Sequence, residues 1–302
     1  MSDRFKGYVL AFISVISVSN VYIFSKAALN EVSLAQFGVY WFGFGLIWIV
    51  FYGIYNKSFL LIKPLDKRKY KLFLLLGLIE IFATTFFFKS IYTIPNPTIT
   101  SFLNNISPVF VLSLSFIFLK ERLNKLEVIG VFIAIVGSFI IGYQGGFDIT
   151  SMFIDGTQYI VLASLLFATS SVISKRHITT LSPVLIAFNR TLFLFIFSLI
   201  ILYIKNSVIQ IPTGALINIL IGSILGPFLT AVTGLLALKY IDLSKKSIIS
   251  STKSLFVLFG SFLYFDIFPK NYELFGGVIS IFGVLLIIFG KTKIKKNNTL
   301  KK

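Results

Sequence analysis

Three ionisable side chains stand deep inside apolar runs, where a charge is costly unless it is paired or wet. Glu80 lies about 13 Å into its run at 1.5 Å per residue, Arg190 about 10 Å and Lys253 about 15 Å. One acid among bases permits two kinds of chemistry. Glu80 can form an ion pair with Arg190 or Lys253 that holds helices together, or it can carry a proton. Lys253 has no acid in its own run, so its ammonium is available to a carboxylate or phosphate. Arg190 is a further cation for the same task. Five basic residues (Lys26, Lys89, Arg190, Lys239, Lys253) fall inside apolar runs against the single acid Glu80, a balance that favours anionic or zwitterionic cargo.

Uncharged polar groups stand in the same runs. Asn20, Tyr22, Thr84, Asn104, Asn105, Ser107, Thr230 and Thr252 can orient a polar ligand, or they can stitch helices together at typically about 0.6 kcal/mol per bond. Asn104 and Asn105 are adjacent and cannot share one face. Lys26 with Lys175, and Lys89 with Lys239, are candidate gates if they face a pathway, and snorkelling anchors if they reach the headgroups. Pro108 and the Gly226-Pro227 pair interrupt the hydrogen-bond ladder and are candidate hinges. Trp41, Trp48 and Tyr92 are expected at the interface or facing lipid.

The elements that position these groups follow from composition. Of 302 residues, 56% are apolar and 13% charged, against about 45–50% and 25% in soluble domains, so an integral membrane protein is expected. Cysteine is absent and His177 is the one histidine, which removes disulfides, iron–sulfur clusters and thiolate zinc sites; no metal or cofactor is expected. No G-x-x-x-x-G-K-[ST] run points to nucleotide hydrolysis. Runs long enough to cross about 30 Å of hydrocarbon occur near 7–29, 36–55, 71–94, 97–119, 125–145, 157–175, 183–204, 216–241, 243–265 and 273–290. The expected fold is all-α, with ten transmembrane helices.

Charge orients the chain. Placing the amino terminus inside puts 21 basic residues in inner segments, among them Lys67–Lys71, Lys245, Lys246 and the tail, and only Lys205 and Lys270 in outer loops. Both termini are therefore expected on the cytoplasmic side of a plasma membrane, by the inside rule for lysine and arginine. The basic tail needs no nucleic-acid partner to explain it.

The second half of the chain repeats the first. Ser25-Lys26 with Ser33 matches Ser174-Lys175 with Ser182, Lys89 with Ile91 matches Lys239 with Ile241, and Glu127-x-x-Gly130 with Gly137 matches Glu273-x-x-Gly276 with Gly283. Each unit holds five spans, an odd number, so the two copies enter the membrane from opposite sides. The expected organisation is a first five-helix repeat over 1–146, an inverted second one over 147–290 and a basic cytoplasmic tail over 291–302. Two inverted halves can rock about a central site, which is the logic of alternating access. The glycines spaced by seven (Gly130, Gly137; Gly276, Gly283, Gly290) are expected to serve close helix packing.

Ser107-Pro108-Val109-Phe110, the Lys120-Glu121-Arg122-Leu123 close of the fourth span and the Glu-x-x-Gly starts of spans five and ten make the chain similar to the EamA-type branch of the drug/metabolite transporter superfamily. The second half departs from that pattern, with Ser254-Leu255-Phe256-Val257 and Asp266-Ile267-Phe268-Pro269 at the corresponding places. The resemblance implies a basket around a central cavity, with spans one, three, four, six, eight and nine nearest the path, five and ten peripheral, and seven outside it. It also implies a carrier of small metabolites, and fold alone does not name the cargo.

The expected function is secondary transport of a small anionic or zwitterionic metabolite, amino-acid-like or a carboxylate, by alternating access. The alternatives are an exporter of amphipathic cations coupled to protons through Glu80, an exchanger of phosphorylated metabolites and, from other classes, a membrane scaffold or enzyme. Expected partners are the small-molecule substrate, the lipid bilayer, a proton or counter-substrate, and a second copy of the chain in a homodimer.

Overall fold

The computed structural model describes residues 3–58, 67–119, 124–145, 153–178 and 181–299, the side chains of Leu119, Glu127, Ser244, Ile248 and 287–299 excepted. The Lys120–Leu123 motif lies outside the described residues. Apart from one isolated bridge between Tyr143 and Phe153, the regular structure among the described residues is helical. This follows from the solvent, because hydrocarbon offers the backbone no partner and a helix satisfies its own N–H and C=O groups.

The rods are α1 (Asp3–Leu29), α2 (Leu34–Tyr55), α3 (Lys67–Thr93), α5 (Lys125–Gly142), α6 (Thr157–His177), α7 (Pro183–Ile204) and α10 (Asn271–Thr299), with three interrupted rods among them. In α4, Pro97–Leu103 and Ser107–Leu119 flank a 3₁₀ turn at Asn104–Ile106. In α8, Thr213–Ser223 and Ala231–Tyr240 flank a π-helical stretch at Ile224–Thr230. In α9, Leu243–Ser251 and Lys253–Phe265 meet at Thr252. Eight rods (α1–α4 and α6–α9) are long and apolar enough to cross a membrane, and α5 and α10 contain shorter apolar stretches, Val128–Gly142 and Asn271–Leu286. The protein is a multi-pass membrane protein. Large apolar side chains such as Phe51, Phe132, Phe259 and Val278 face outward, as a lipid-embedded surface requires.

Local signals start the rods where the chain must turn. Ser33 and Gln36 form a reciprocal capping box at α2. Asn96 accepts from the Thr98 amide at 2.9 Å ahead of Pro97, which fills a first-turn position that needs no N–H. The Glu273 carboxylate accepts from the Lys270 amide at 2.7 Å and caps α10.

Packing pairs the rods in a regular way: α1 lies on α8 and α3 on α6, α1 on α9 and α6 on α4, α2 on α8 and α7 on α3, while α2 packs on α7 and α5 on α10. Asn105 of α4 and Ser254 of α9, which stand 149 residues apart in the chain, hydrogen-bond at 3.2 Å. At the α5–α10 crossing a Cβ on Gly137 would collide with the backbone of Ser280 and Gly276, and one on Gly283 with that of Ala134 and Gly130. The glycines therefore let two backbones touch.

Two hydrophobic clusters bracket the middle of the bundle. One gathers the aromatic rings of Tyr22, Phe37, Trp41, Phe87, Phe88 and Phe102 among a larger number of aliphatic neighbours. The other, on Phe73, Leu76, Val172, Ile186, Leu238 and Leu243, is mainly aliphatic.

Candidate functional site

Between the two clusters lies a cavity of about 260 Å³ whose wall draws on α1, α2, α3, α4, α6, α7, α8 and α9. Along α3, Leu76 belongs to the aliphatic cluster, Glu80 follows one turn later, and Phe87 joins the aromatic cluster. Along α7 the order Ile186, Arg190, Leu194 repeats this arrangement. The two charges thus meet at mid-cavity. Arg190 Nε stands 2.9 Å from Glu80 Oε2, and Ser170 Oγ donates to Glu80 Oε1 at 2.6 Å. The guanidinium also lies 5.5 Å from the Phe167 ring centroid and 3.5 Å from Thr84 Oγ1, so a planar cation is held on its edge and its face.

Two more cations reach this cavity, both from α9. Lys253 is buried; its Nζ makes a long 3.4 Å bond to the Ser250 carbonyl. Lys246 enters one turn into α9. A Cβ on Gly234 would sit 3.2 Å from its Nζ, so the bare face of α8 provides the channel along which this side chain runs inward. Lys246 is close enough to Arg190 and Glu80 to interact with both charges. Its neighbour Lys245 turns the other way and pairs with Asp242 at 2.8 Å. Among the described lining residues, three cations therefore share one carboxylate, whose Oε1 accepts the Ser170 hydrogen bond and whose Oε2 lies in the ion pair with Arg190.

The opposite half of the cavity is uncharged. Tyr22, Trp41, Phe42, Phe87, Phe88 and Asn104 line it. Trp41 is fully buried, against the expectation that it faces lipid or the interface, because Gly222 and Gly226 of α8 leave room for its indole to lie against backbone. Trp48 donates from Nε1 to Ser223 Oγ at 3.2 Å, while Tyr92 is half-exposed, as a residue at a bundle surface is. Counting at the offset that relates Lys26 to Lys175, Trp41 corresponds to Arg190, Asn104 to Lys253 and Tyr22 to Ser171. Two of these three matching places thus carry an aromatic or amide group in the first half of the chain and a cation in the second.

Other sequence candidates lie elsewhere. Asn20 donates back to the Ile16 carbonyl of its own helix at 2.9 Å and is not part of the wall. Asn105, one position from the lining Asn104, points the other way and joins α4 to Ser254. Thr252 bonds the Ile249 carbonyl at 2.7 Å where α9 breaks. Lys26 neither snorkels nor faces the cavity. Its buried ammonium donates to the carbonyls of Ile91, Tyr92 and Ile94 at 3.0, 3.2 and 3.0 Å, capping the end of α3. Lys175 does the same for α8, reaching the carbonyls of Leu238 at 2.6 Å and Ile241 at 3.0 Å. Cations are favoured at such helix C-termini. Lys89 lies 5.6 Å from the Tyr159 ring centroid, and Lys239 is exposed.

The interrupted helices border the cavity. Pro108 follows the 3₁₀ turn of α4, and Gly226 and Pro227 sit in the π-helical stretch of α8. The disturbed ladder there is met by hydroxyls: Thr230 Oγ1 donates to the Leu225 carbonyl at 2.7 Å, and Ser14 Oγ donates to the Thr230 carbonyl at 3.1 Å. A π-helical turn satisfied this way lets the cavity wall bend without stranding a backbone group.

The EamA-like transporter family model matches this sequence twice, over residues 5–143 and 155–289. The chain belongs to the EamA-like transporter family. Two bacterial relatives are known as uncharacterized transporters. YxxF of Bacillus subtilis is 32% identical over 116 residues, 38% of this chain and 37% of that protein. The protein sll1164 of Synechocystis is 23% identical over 221 residues, 68% of this chain and 62% of that protein. The chain thus matches less than two thirds of the length of either relative. A protein of known crystal structure superposes with a TM-score of 0.73 at 14% identity, over 96% of this chain and 99% of that one, a likeness of fold.

Sequence reasoning missed Lys246 and Ser170; it names Arg190 as a candidate cation, although the family resemblance sets the span of Arg190 outside the path. Lys246 reads as a loop lysine because it follows Asp242 and Lys245 directly. Only Gly234, twelve residues earlier and unremarkable in an apolar run, accompanies its inward turn.

Proposed function

We propose that this transporter family member carries a small carboxylate-bearing or amino-acid-like metabolite across a bacterial plasma membrane by alternating access. The observation that supports this reading is the charge of the central cavity: Arg190, Lys246 and Lys253 against Glu80 alone. In a site walled by hydrocarbon, such an excess attracts an anion and gives its carboxylate charge-assisted donors. An ammonium group on the same cargo gains Glu80 as counter-charge only by displacing Arg190 or Ser170 from it. Size points the same way. At about 30 Å³ per water the cavity has room for on the order of nine waters, a little below the about 300–1,000 Å³ of drug-sized pockets.

Export of amphipathic cations through a free Glu80 has less support, since Arg190 and Ser170 occupy both of its oxygens. Scaffold and enzyme readings gain no observation in their favour.

The architecture in this reading is ten spans in two inverted units, 1–146 and 147–290, both termini cytoplasmic. Three features support it. The contacts occur in pairs that exchange when the halves are exchanged. The Asn105–Ser254 bond links corresponding places of α4 and α9. Lys26 and Lys175 cap corresponding helix ends. Rocking of one unit against the other, with bending at Pro108 and Gly226-Pro227, then exposes the site to each face in turn.

Purified protein in liposomes, assayed against a panel of amino acids, carboxylates and phosphorylated metabolites, tests the reading. Carboxylate flux that Lys253→Ala abolishes, with the fold intact by circular dichroism, supports it. Flux of cationic drugs alone, or carboxylate flux indifferent to Lys253→Ala, refutes it.

A further inference from the structure

The aromatic half of the cavity contains one polar relay whose last proton has nowhere to go. Ser164 Oγ donates to Asn104 Oδ1 at 2.7 Å, and Asn104 Nδ2 donates to the Tyr22 hydroxyl oxygen at 2.6 Å. The amide is thereby fixed as a donor toward the phenol, which accepts through a lone pair and keeps its own O–H. Among the described residues no acceptor faces that O–H. Tyr22 is fully buried, its ring is braced edge-on by Phe87 at 5.2 Å, and it lines the cavity. The reverse amide orientation would leave the Ser164 proton unpaired instead, and Ser164 is fully buried and not part of the wall. A stranded donor in a dry core costs more than one facing a space that cargo or water can fill.

We propose that the Tyr22 hydroxyl is a preset hydrogen-bond donor to cargo, and that the cargo is a small carboxylate whose uncharged body carries a hydrogen-bond acceptor such as an ether, carbonyl or amide oxygen. The inference rests on the reading of the cavity as a carboxylate site, with the charged head toward Arg190, Lys246 and Lys253 and the body between Tyr22 and the rings of Trp41 and Phe87. Tyr22 sets specificity by direct contact; Asn104 and Ser164 are positioning residues. A site built to donate to an oxygen rejects the analogue that lacks it, because its own donor is then left unpaired.

The probes are O-methylserine and norvaline, of nearly one shape, in which an ether oxygen that accepts but cannot donate replaces a methylene. Binding to the purified protein is followed by tryptophan fluorescence, Trp41 being in the cavity wall, and checked by thermal stabilisation. Wild type is expected to bind O-methylserine about tenfold more tightly than norvaline. Tyr22→Phe erases that preference by bringing the two probes to equal affinity, since no donor is then left unpaired against norvaline, and Ser164→Ala narrows it by releasing the amide. Equal binding of the two probes by wild type, or a preference that survives Tyr22→Phe, overturns the inference. Loss of both probes on Lys253→Ala upholds the carboxylate site whichever way the Tyr22 result falls. Failure of wild type to bind either probe overturns both.

Discussion

Replacing Glu80 by glutamine removes one negative charge and almost no volume from the contact with Arg190. One ion pair and one hydrogen bond change character, the 2.9 Å contact with Arg190 Nε and the 2.6 Å bond from Ser170. Hydrogen bonds to charged groups contribute about 1.5–3 kcal/mol and neutral ones about 0.5–1.5 kcal/mol, so neutralising both is expected to cost about 2–3 kcal/mol. Arg190→Met leaves the carboxylate, whose side chain is only 9% exposed, without its partner. Breaking a buried pair from one side costs about 3–5 kcal/mol, and the 30% exposure of the arginine side chain places the expected loss at the lower end of that range. The double variant keeps neither charge. Its loss is expected to fall short of the sum of the two single losses by at least about 1.5 kcal/mol, the signature of direct coupling. Equilibrium unfolding in mixed detergent micelles, followed by helicity, measures all three. Additivity within about 0.5 kcal/mol would show that the pair does not hold α3 to α7 and would refute the reasoning.

Lys26→Met removes the buried ammonium that caps α3 and leaves the Ile91, Tyr92 and Ile94 carbonyls without it; a stability loss of about 3 kcal/mol is expected, whereas the exposed Lys239→Met stays within about 0.5 kcal/mol. Equal losses for the two would dismiss the cap. The chain contains no cysteine, so single cysteines report topology directly: in right-side-out vesicles an impermeant maleimide is expected to label Asn206→Cys and not Asn56→Cys, and the opposite pattern would invert the proposed orientation.

The sites of these predictions differ in how they could be found. Glu80 and Lys253 were legible as candidates because a charge inside an apolar run is visible one residue at a time. Tyr22 and Asn104 were visible as polar residues in such runs, but nothing nearby separated Asn104 from Asn105. The 3₁₀ turn decides between them, pointing one amide at Tyr22 and the other at Ser254. Arg190 is a candidate by its charge, while the family resemblance puts its span outside the path; α7 packs on α3 and delivers it to Glu80. Lys26 and Lys175 were matched by sequence, and their role was not. Each finds its carbonyl acceptors more than 60 residues away in the chain.

What the sequence determined by itself is what depends on local composition. Apolar length dictates helices in lipid, because no other backbone arrangement satisfies its own hydrogen bonds along a single segment. Ser33, Asn96 and Pro97 mark helix starts through bonds to their near neighbours, and the seven-residue glycine spacing announces a seam between backbones. Only the tertiary structure decided which side of each helix faces the cavity. That rotation is set by how α1, α3, α7, α8 and α9 press on one another, so adjacent lysines 245 and 246 end in opposite surroundings, one on a surface aspartate and one in the central site.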